Sequence, residues 1–518
     1  MLMKKLTVFC LCAAMCLGVC SCSGSADKDT SSASSDGKAS AAENSNEDSA
    51  AEEEPVVTLP VKQKQVINET PATYLSLGKD ETEAAAFKEK ISSESKIPVV
   101  SVTTAPDDEI VSLDEYVSCT VDLFNVEQDM EISEASAGIK VRGNSSAYYG
   151  DINQVLNNPV PYRIKFDEKR NMLGLNDGAE CRSWVLLKSD WDLIRNDIAL
   201  RFGRAIMGES NFCSDSQLVH LYVNEEFKGI YLLCEQCQVN PNRVDISEPE
   251  EGYTGTDIGY YLELDNNFSR ETINYWFEMD YDKATVTDIN GESRQFVQAE
   301  YSIKNDLYSQ NQIDFIDKYM NNLFTIVYEA CENGKFLAFD ENYDLTDADF
   351  QTAEETVSAV LDVDSVRDMY ILYEIVHDYD CGEGSFFMCI DFSQASQCRK
   401  LKFTSPWDFN WAYNDSTEVY HAAAFNDMSF VNDKGDRSNP WFIILMKQDW
   451  FVQSVKEKWT AMNEEQLMQA CIQEEKDYLE EYKDDLNKTD EWATESAMKL
   501  FEWIENRIYW LNSEWVIK

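Results

Sequence analysis

The chain has 518 residues (59.4 kDa), with 44 Lys and Arg against 95 Asp and Glu, a formal charge of −51. With 44% hydrophobic and 12% aromatic residues it can bury a large core, and its length predicts two domains or one elaborate one. Such acidity excludes binding nucleic acid by bulk attraction, where Lys and Arg must neutralise phosphates, and excludes resting on anionic lipid through a basic patch. A phosphate-bearing ligand has to be held by a local basic cluster or a metal.

Residues 1–22 read as a targeting segment. Lys4 and Lys5 form a positive start and Leu6 to Val19 a short apolar run, below the ~18–20 residues that span a bilayer. Val19-Cys-Ser-Cys-Ser23 resembles a bacterial lipobox, which implies that Cys22 is lipidated and becomes the mature N-terminus. On that reading the protein is exported and anchored to the cell membrane on its extracytoplasmic face; an ordinary cleaved secretion signal is the alternative. Residues 23–55 are Ser, Ala, Asp and Glu with little apolar content, so they are expected to stay a disordered acidic tether. Five of the 15 cysteines (Cys10, Cys12, Cys16, Cys20, Cys22) lie in the targeting segment. The ten from Cys119 onward are scattered through apolar segments, unlike a disulfide scaffold. Cys234-Glu-Gln-Cys237 lacks the second pair or nearby histidines that zinc needs.

From 97 to 265 the pattern is β-rich, with strands expected at Ile97–Val102, Cys119–Phe124, Ala137–Arg142, Tyr162–Phe166, Ser183–Leu187, Leu218–Val223, Gly229–Cys234 and Gly259–Leu264. Asn224-Glu225-Glu226 marks a hairpin between the sixth and seventh, and one helix, Asp192–Met207, interrupts the run. From 266 to 518 the pattern is mainly helical. Long amphipathic runs cover Ile313–Glu332 and Glu354–His377, and a strand pair, Ser385–Ile390 and Lys400–Phe403, leads into an aromatic loop at Trp407–Tyr413. The last helix puts Phe501, Ile504, Ile508, Leu511 and Trp515 on one stripe, as a core helix does. The expected class is α+β, with a polar cleft between a β-rich front part and a helical back part.

Three clusters carry chemistry. Strand alternation puts Lys140 and Arg142 on one face of their strand, and Arg163 and Lys165 on one face of theirs. If the strands pair, four cations share a face beside the turn Gly143-Asn-Ser-Ser146, whose amides suit an anion. Asp380 sits in a turn between a helix and a strand. Asp408 and Asn410 offer hard oxygen atoms one residue apart, a pair suited to Mg²⁺ completed by phosphate and water. Two acidic clusters and one basic face meet the needs of phosphoryl transfer.

Several segments resemble the CotH kinase-like family: Ile139-Lys-Val-Arg-Gly-Asn-Ser-Ser146, Pro161-Tyr-Arg-Ile-Lys-Phe166, Asn171-Met-Leu-Gly-Leu175, Ile194-Arg-Asn196, Tyr222-Val-Asn224 with Gly229 to Glu235, Gly259 to Asp265, and Trp407 to Tyr413. The resemblance runs from about 97 to 515. It implies an atypical protein-kinase-like fold that uses ATP and Mg²⁺ or Mn²⁺ to phosphorylate Ser or Thr of a partner protein. Carried over, Asp408 is the metal-binding aspartate and Asp380 the catalytic one, with Asn410 as a second metal ligand by its own chemistry; strand context makes Arg142 and Lys165 the candidates for holding phosphate and Glu235 the lysine's acidic partner. Two departures stand out: Ser385 occupies the place five residues after Asp380 where protein kinases have Asn, and no glycine-rich loop follows the first strands. Two other readings remain open: a catalytically inactive kinase-like surface or structural binding protein, and a glycan-associated lipoprotein presenting Trp407 and Trp411.

Overall fold

The computed structural model describes residue 59 and residues 71–188, 193–265, 269, 275–287, 293–378, 380–396, 398–413, 416–418, 439–489 and 491–516, with the backbone alone at Arg294, Asp380 and Thr489. The targeting segment, Cys22 and the acidic tether lie outside these residues. Among the described residues no helix is long and apolar enough to cross a membrane.

Apolar and β-branched runs bounded by turn residues form seven strands in the front half, several of them buried on both faces: β1 Val99–Thr104, β2 Val117–Phe124, β3 Ile132–Val141, β4 Tyr162–Arg170, β5 Cys181–Lys188, β6 Ser216–Val223 and β7 Glu226–Glu235. They close into a barrel in the order β1-β2-β3-β4-β5-β7-β6, antiparallel except where β1 meets β6. Val102, Val121, Ile139, Ile164, Trp184 and Leu233 fill its interior. Residues alternating with these, including Val185, Ile230, Leu232 and Cys234, face outward into the larger core shared with the helices. The β6–β7 hairpin turns through Asn224 and Glu225, both with left-handed backbone, the twist a two-residue hairpin turn requires.

The back half is less purely helical than its periodicity predicts. It contains β8 Gly259–Asp265, β9 Tyr275–Met279, a ribbon of β10 Thr285–Thr287 with β11 Ser293–Gln295, β12 Ala299–Ile303, a ribbon of β13 Leu337–Phe339 with β14 Leu345–Asp347, β15 Gly384–Asp391 and β16 Lys402–Thr404. Five of these form a second, antiparallel sheet in the order β16-β15-β8-β12-β9. β8 thus leaves the front segment to join this sheet. The run expected as one helix over Glu354–His377 is two, Ala353–Val360 and Val363–Val376. Leu361 is extended and bridges to Leu401, and Asp362 caps the second helix by accepting the Ser365 amide at 3.1 Å. The final helix, Ala493–Trp515, buries the expected stripe.

Helix Arg195–Met207 connects the barrel to the helices. Arg201 reaches Glu474 and Glu475 of helix Leu467–Glu481, at 3.1 Å each, while buried Asp197 accepts the Ser216 hydroxyl at 2.6 Å. One guanidinium facing this many carboxyls in a dry site leaves a proton in excess. Burial and neighbouring Asp197 raise Glu475 to about 8. The native state therefore holds a proton that the unfolded chain releases above about pH 4.3, and stability falls as pH rises through that window toward 8. Glu475→Gln, which mimics the protonated side chain, should flatten this loss. Urea midpoints at pH 5 and 8.5 check it: the wild type should fall relative to the variant at the higher pH, by on the order of 3 kcal/mol.

Candidate functional site

The register of the barrel brings the cations together. Lys140 pairs with Arg163, and Lys165 with Gly138 two residues along, so Lys140, Arg142, Arg163 and Lys165 share the outer face of β3 and β4. Lys140 donates to the Leu113 carbonyl at 2.5 Å and lies over Tyr116, and Arg163 donates to the Ser183 hydroxyl at 3.3 Å. Arg142, just beyond β3, stands at the end of the row nearest the aromatic loop: its guanidinium lies 5.5 Å from the Trp407 ring. Lys165 is four residues along the pairing from that end, about 13 Å at strand rise. The turn after Arg142 depends on Gly143, with φ +96° and a position where a Cβ would come 2.3 Å from the Ser146 hydroxyl. Its Asn144 carbonyl accepts from the amides of Ala147 and Tyr149.

The expected pair of Lys165 with Glu235 is not formed. Lys165 is level with Ser183 on β5, whereas Glu235 is level with the next residue, Trp184. Adjacent residues of a strand point to opposite faces, so Lys165 lies outside the barrel and Glu235 inside its end. There Glu235 meets Arg243 at 3.1 Å, both fully buried, and accepts from the Asn176 amide and the Asp215 backbone. Arg243 also lies 5.3 Å over Trp184. Burial pushes the Glu235 carboxyl up despite Arg243. Arg243 comes from an irregular segment after β7, so strand spacing gave no signal for it.

The Asp408 loop is clamped by the start of helix Arg195–Met207. Asn196 accepts the Phe409 amide at 2.9 Å and donates to the Asn410 side-chain oxygen at 3.0 Å, and Asn410 donates to Asp408 at 2.6 Å. Arg195 donates to the Asn410 and Ala412 carbonyls and lies 5.6 Å from the Tyr413 ring. The Tyr413 amide donates to the Val376 carbonyl, so the loop is also tied to the end of the helix that precedes Asp380. Phe409 is buried against Tyr373 of that helix. Asp408, Ser405, Tyr413, His377 and Ser385 all adopt left-handed backbone without being glycine. Such strain persists only where surrounding structure holds it, and it concentrates at functional sites. Asn196 and Arg195 were legible only as part of a motif; their clamping role depends on contacts more than 200 residues away. Asn196→Ala removes two hydrogen bonds and should cost about 1–2 kcal/mol in urea unfolding.

His377 is buried at the end of helix Val363–Val376, and burial with the nearby Arg507 charge lowers it to about 3. It stays neutral at physiological pH. The Asp380 backbone lies in the short turn Asp380–Gly382 directly after it. Among the described residues no three His, Cys, Asp or Glu side chains cluster as a metal site. Asp408 and Asn410 nevertheless fit a hard cation. Both offer oxygen, both are partly or fully exposed, and the Asn410 carbonyl, with two lone pairs, can accept from Asn196 and still serve as a ligand. Trp407, read as an exposed sugar platform, is only 7% exposed and lies against Arg142, whereas Trp411 is 57% exposed. One of the two platforms expected for a glycan is therefore absent.

The barrel and helices define an α+β protein in which a basic barrel wall ends at a strained acidic loop. The family follows from the chain itself: the model of the CotH kinase protein family matches residues 139–511, and the chain belongs to that family. No curated protein matches it.

Proposed function

We propose that the protein is an exported kinase, tethered to the membrane through lipid on Cys22, that transfers phosphate from ATP to Ser or Thr of a partner protein. The observation that carries this reading is the junction of Arg142, at the end of the cation row, with Trp407 beside the clamped Asp408 and Asn410. Arg142 offsets phosphate charge, with Lys140, Arg163 and Lys165 extending the positive field along the barrel face. Asp408 and Asn410 hold Mg²⁺ or Mn²⁺, which when bound neutralises phosphate oxygens. Asn196 and Arg195 keep those two ligands from rearranging. Asp380 orients the acceptor hydroxyl and takes its proton. Nucleic acid is not a partner, since the basic row is local to a chain of −51.

Ser385 favours a second reading, a kinase-like binding protein without turnover, because a hydroxyl is a weaker metal ligand than an amide oxygen. One experiment separates them. The chain is incubated with ATP labelled in its γ-phosphate, Mg²⁺ or Mn²⁺, and a Ser/Thr-rich acceptor protein. Metal-dependent label on the chain or the acceptor supports the kinase; nucleotide binding without any label supports the binding protein.

A further inference from the structure

Ten cysteines are described and all are thiols, most of them deeply buried. Cys389 and Cys398 stand apart because their sulfurs face each other at 3.8 Å. Cys389 is buried in β15, opposite Lys402 of β16, and Cys398 is half-buried in the connection between these strands. The connection folds back beside β15: the Asp391 amide donates to the Cys398 carbonyl at 2.9 Å, and the Cys398 amide to the Ser396 hydroxyl at 2.9 Å. Arg399 closes the same turn by donating to the Gln394 carbonyl at 2.8 Å. A disulfide sulfur pair sits at about 2.05 Å. Side-chain rotation must close the remaining gap, and the paired backbone keeps the two residues in reach while it does so.

We propose that Cys389 and Cys398 form a reversible disulfide that fastens the β15–β16 connection, with Cys398 as the thiol that meets the oxidant. Contact with the Cys389 S–H and the Lys402 charge lower the Cys398 thiol from its ordinary value, against burial and the opposing carboxylates Asp362 and Asp391. The Cys389 thiol is raised by the same contact and by burial. A lowered thiol attacks and a sequestered one resolves. The oxidant is a small-molecule disulfide such as oxidised glutathione. Cys398 thiolate attacks one of its sulfurs, forming a mixed disulfide and releasing one glutathione thiolate. Cys389 then gives up its proton and attacks the Cys398 sulfur, releasing the second glutathione. Two protein thiols are oxidised and one glutathione disulfide is reduced to two thiols. Because β16 runs on through Ser405 into the Asp408 loop, the link stiffens the segment joining the two aspartate loops.

The full chain is equilibrated in reduced and oxidised glutathione at graded ratios, quenched by alkylation in denaturant, and digested for mass spectrometry. The expected result is a Cys389–Cys398 link with both thiol hydrogens lost. Cys389→Ser should accumulate glutathione on Cys398, and Cys398→Ser should leave Cys389 unmodified. Alkylation of both residues at the most oxidising ratio, or wild-type Cys398 carrying glutathione without a link, overturns the proposal. The wild-type titration decides the matter even if a variant fails to fold, and it is independent of whether the protein transfers phosphate.

Discussion

Replacing Arg507 with alanine is expected to cost about 3–5 kcal/mol of stability, the typical penalty for stranding one member of a buried ion pair. Arg507 lies in the last helix and is fully buried. It donates twice to the Glu374 backbone carbonyl, at 3.0 and 2.8 Å, and once to the Thr417 carbonyl at 2.9 Å. The Glu374 carboxylate, also fully buried, is 3.7 Å from the guanidinium and within 3.4 Å of the Tyr370 hydroxyl. Without Arg507 that carboxylate loses its counter-charge in a dry site and two carbonyl oxygens lose the three hydrogen bonds they accept from it. Urea unfolding at neutral pH measures the loss. Adding Glu374→Leu should recover a substantial part of it, because the charge left behind is then gone; no recovery would place the cost in the carbonyl contacts. Glu374 lies on the helix that ends at His377, so the same variant should also loosen the turn that carries Asp380.

The second large effect is functional. Asp408→Ala should lower label transfer from ATP by about 10²–10³-fold or more, the range for removing one preorganised electrostatic group. Its stability should change far less, because Asp408 is partly exposed and Asn410, which donates to it, is exposed. Relief of its left-handed backbone is not expected, since alanine is no better suited to that conformation than aspartate. Arg142→Met keeps the packing on Trp407 but removes the charge, and should weaken nucleotide binding while leaving the loop in place. A loss in Asp408→Ala that matched its loss of folded protein would contradict the assignment.

Much of this was legible in residue order. β-rich runs with turn punctuation located all seven barrel strands, and period-two alternation with pairing gave the shared face of Lys140, Arg142, Arg163 and Lys165, because a strand's faces follow from spacing alone. The stripe on the last helix was equally plain. Strand closure into a barrel was not, since the parallel contact of β1 with β6 joins segments more than 100 residues apart. Of the second sheet, β8, β15 and β16 were legible as strands, but β9 and β12 were not, nor was the sheet's order, because β8 and β15 pair across more than 100 residues of intervening chain. The Glu235 assignment shows the same limit at a single residue. A glutamate ending an apolar strand looks like a lysine partner, but one step of register turned it inward to Arg243. Asp408 and Asn410 stood out in the sequence by their chemistry; Asn196, which holds their loop, became visible only when helix and loop met.

The most direct test of the central claim is the thermal midpoint of the chain with and without millimolar ATP and Mg²⁺ or Mn²⁺, beside Asp408→Ala. Binding to the native state stabilises it by mass action, about 2.7 kcal/mol when ligand is at 100 times its dissociation constant. A metal-dependent rise in the wild type that Asp408→Ala abolishes is the predicted result. A cooperatively melting wild type whose midpoint does not move with either metal would contradict the kinase account.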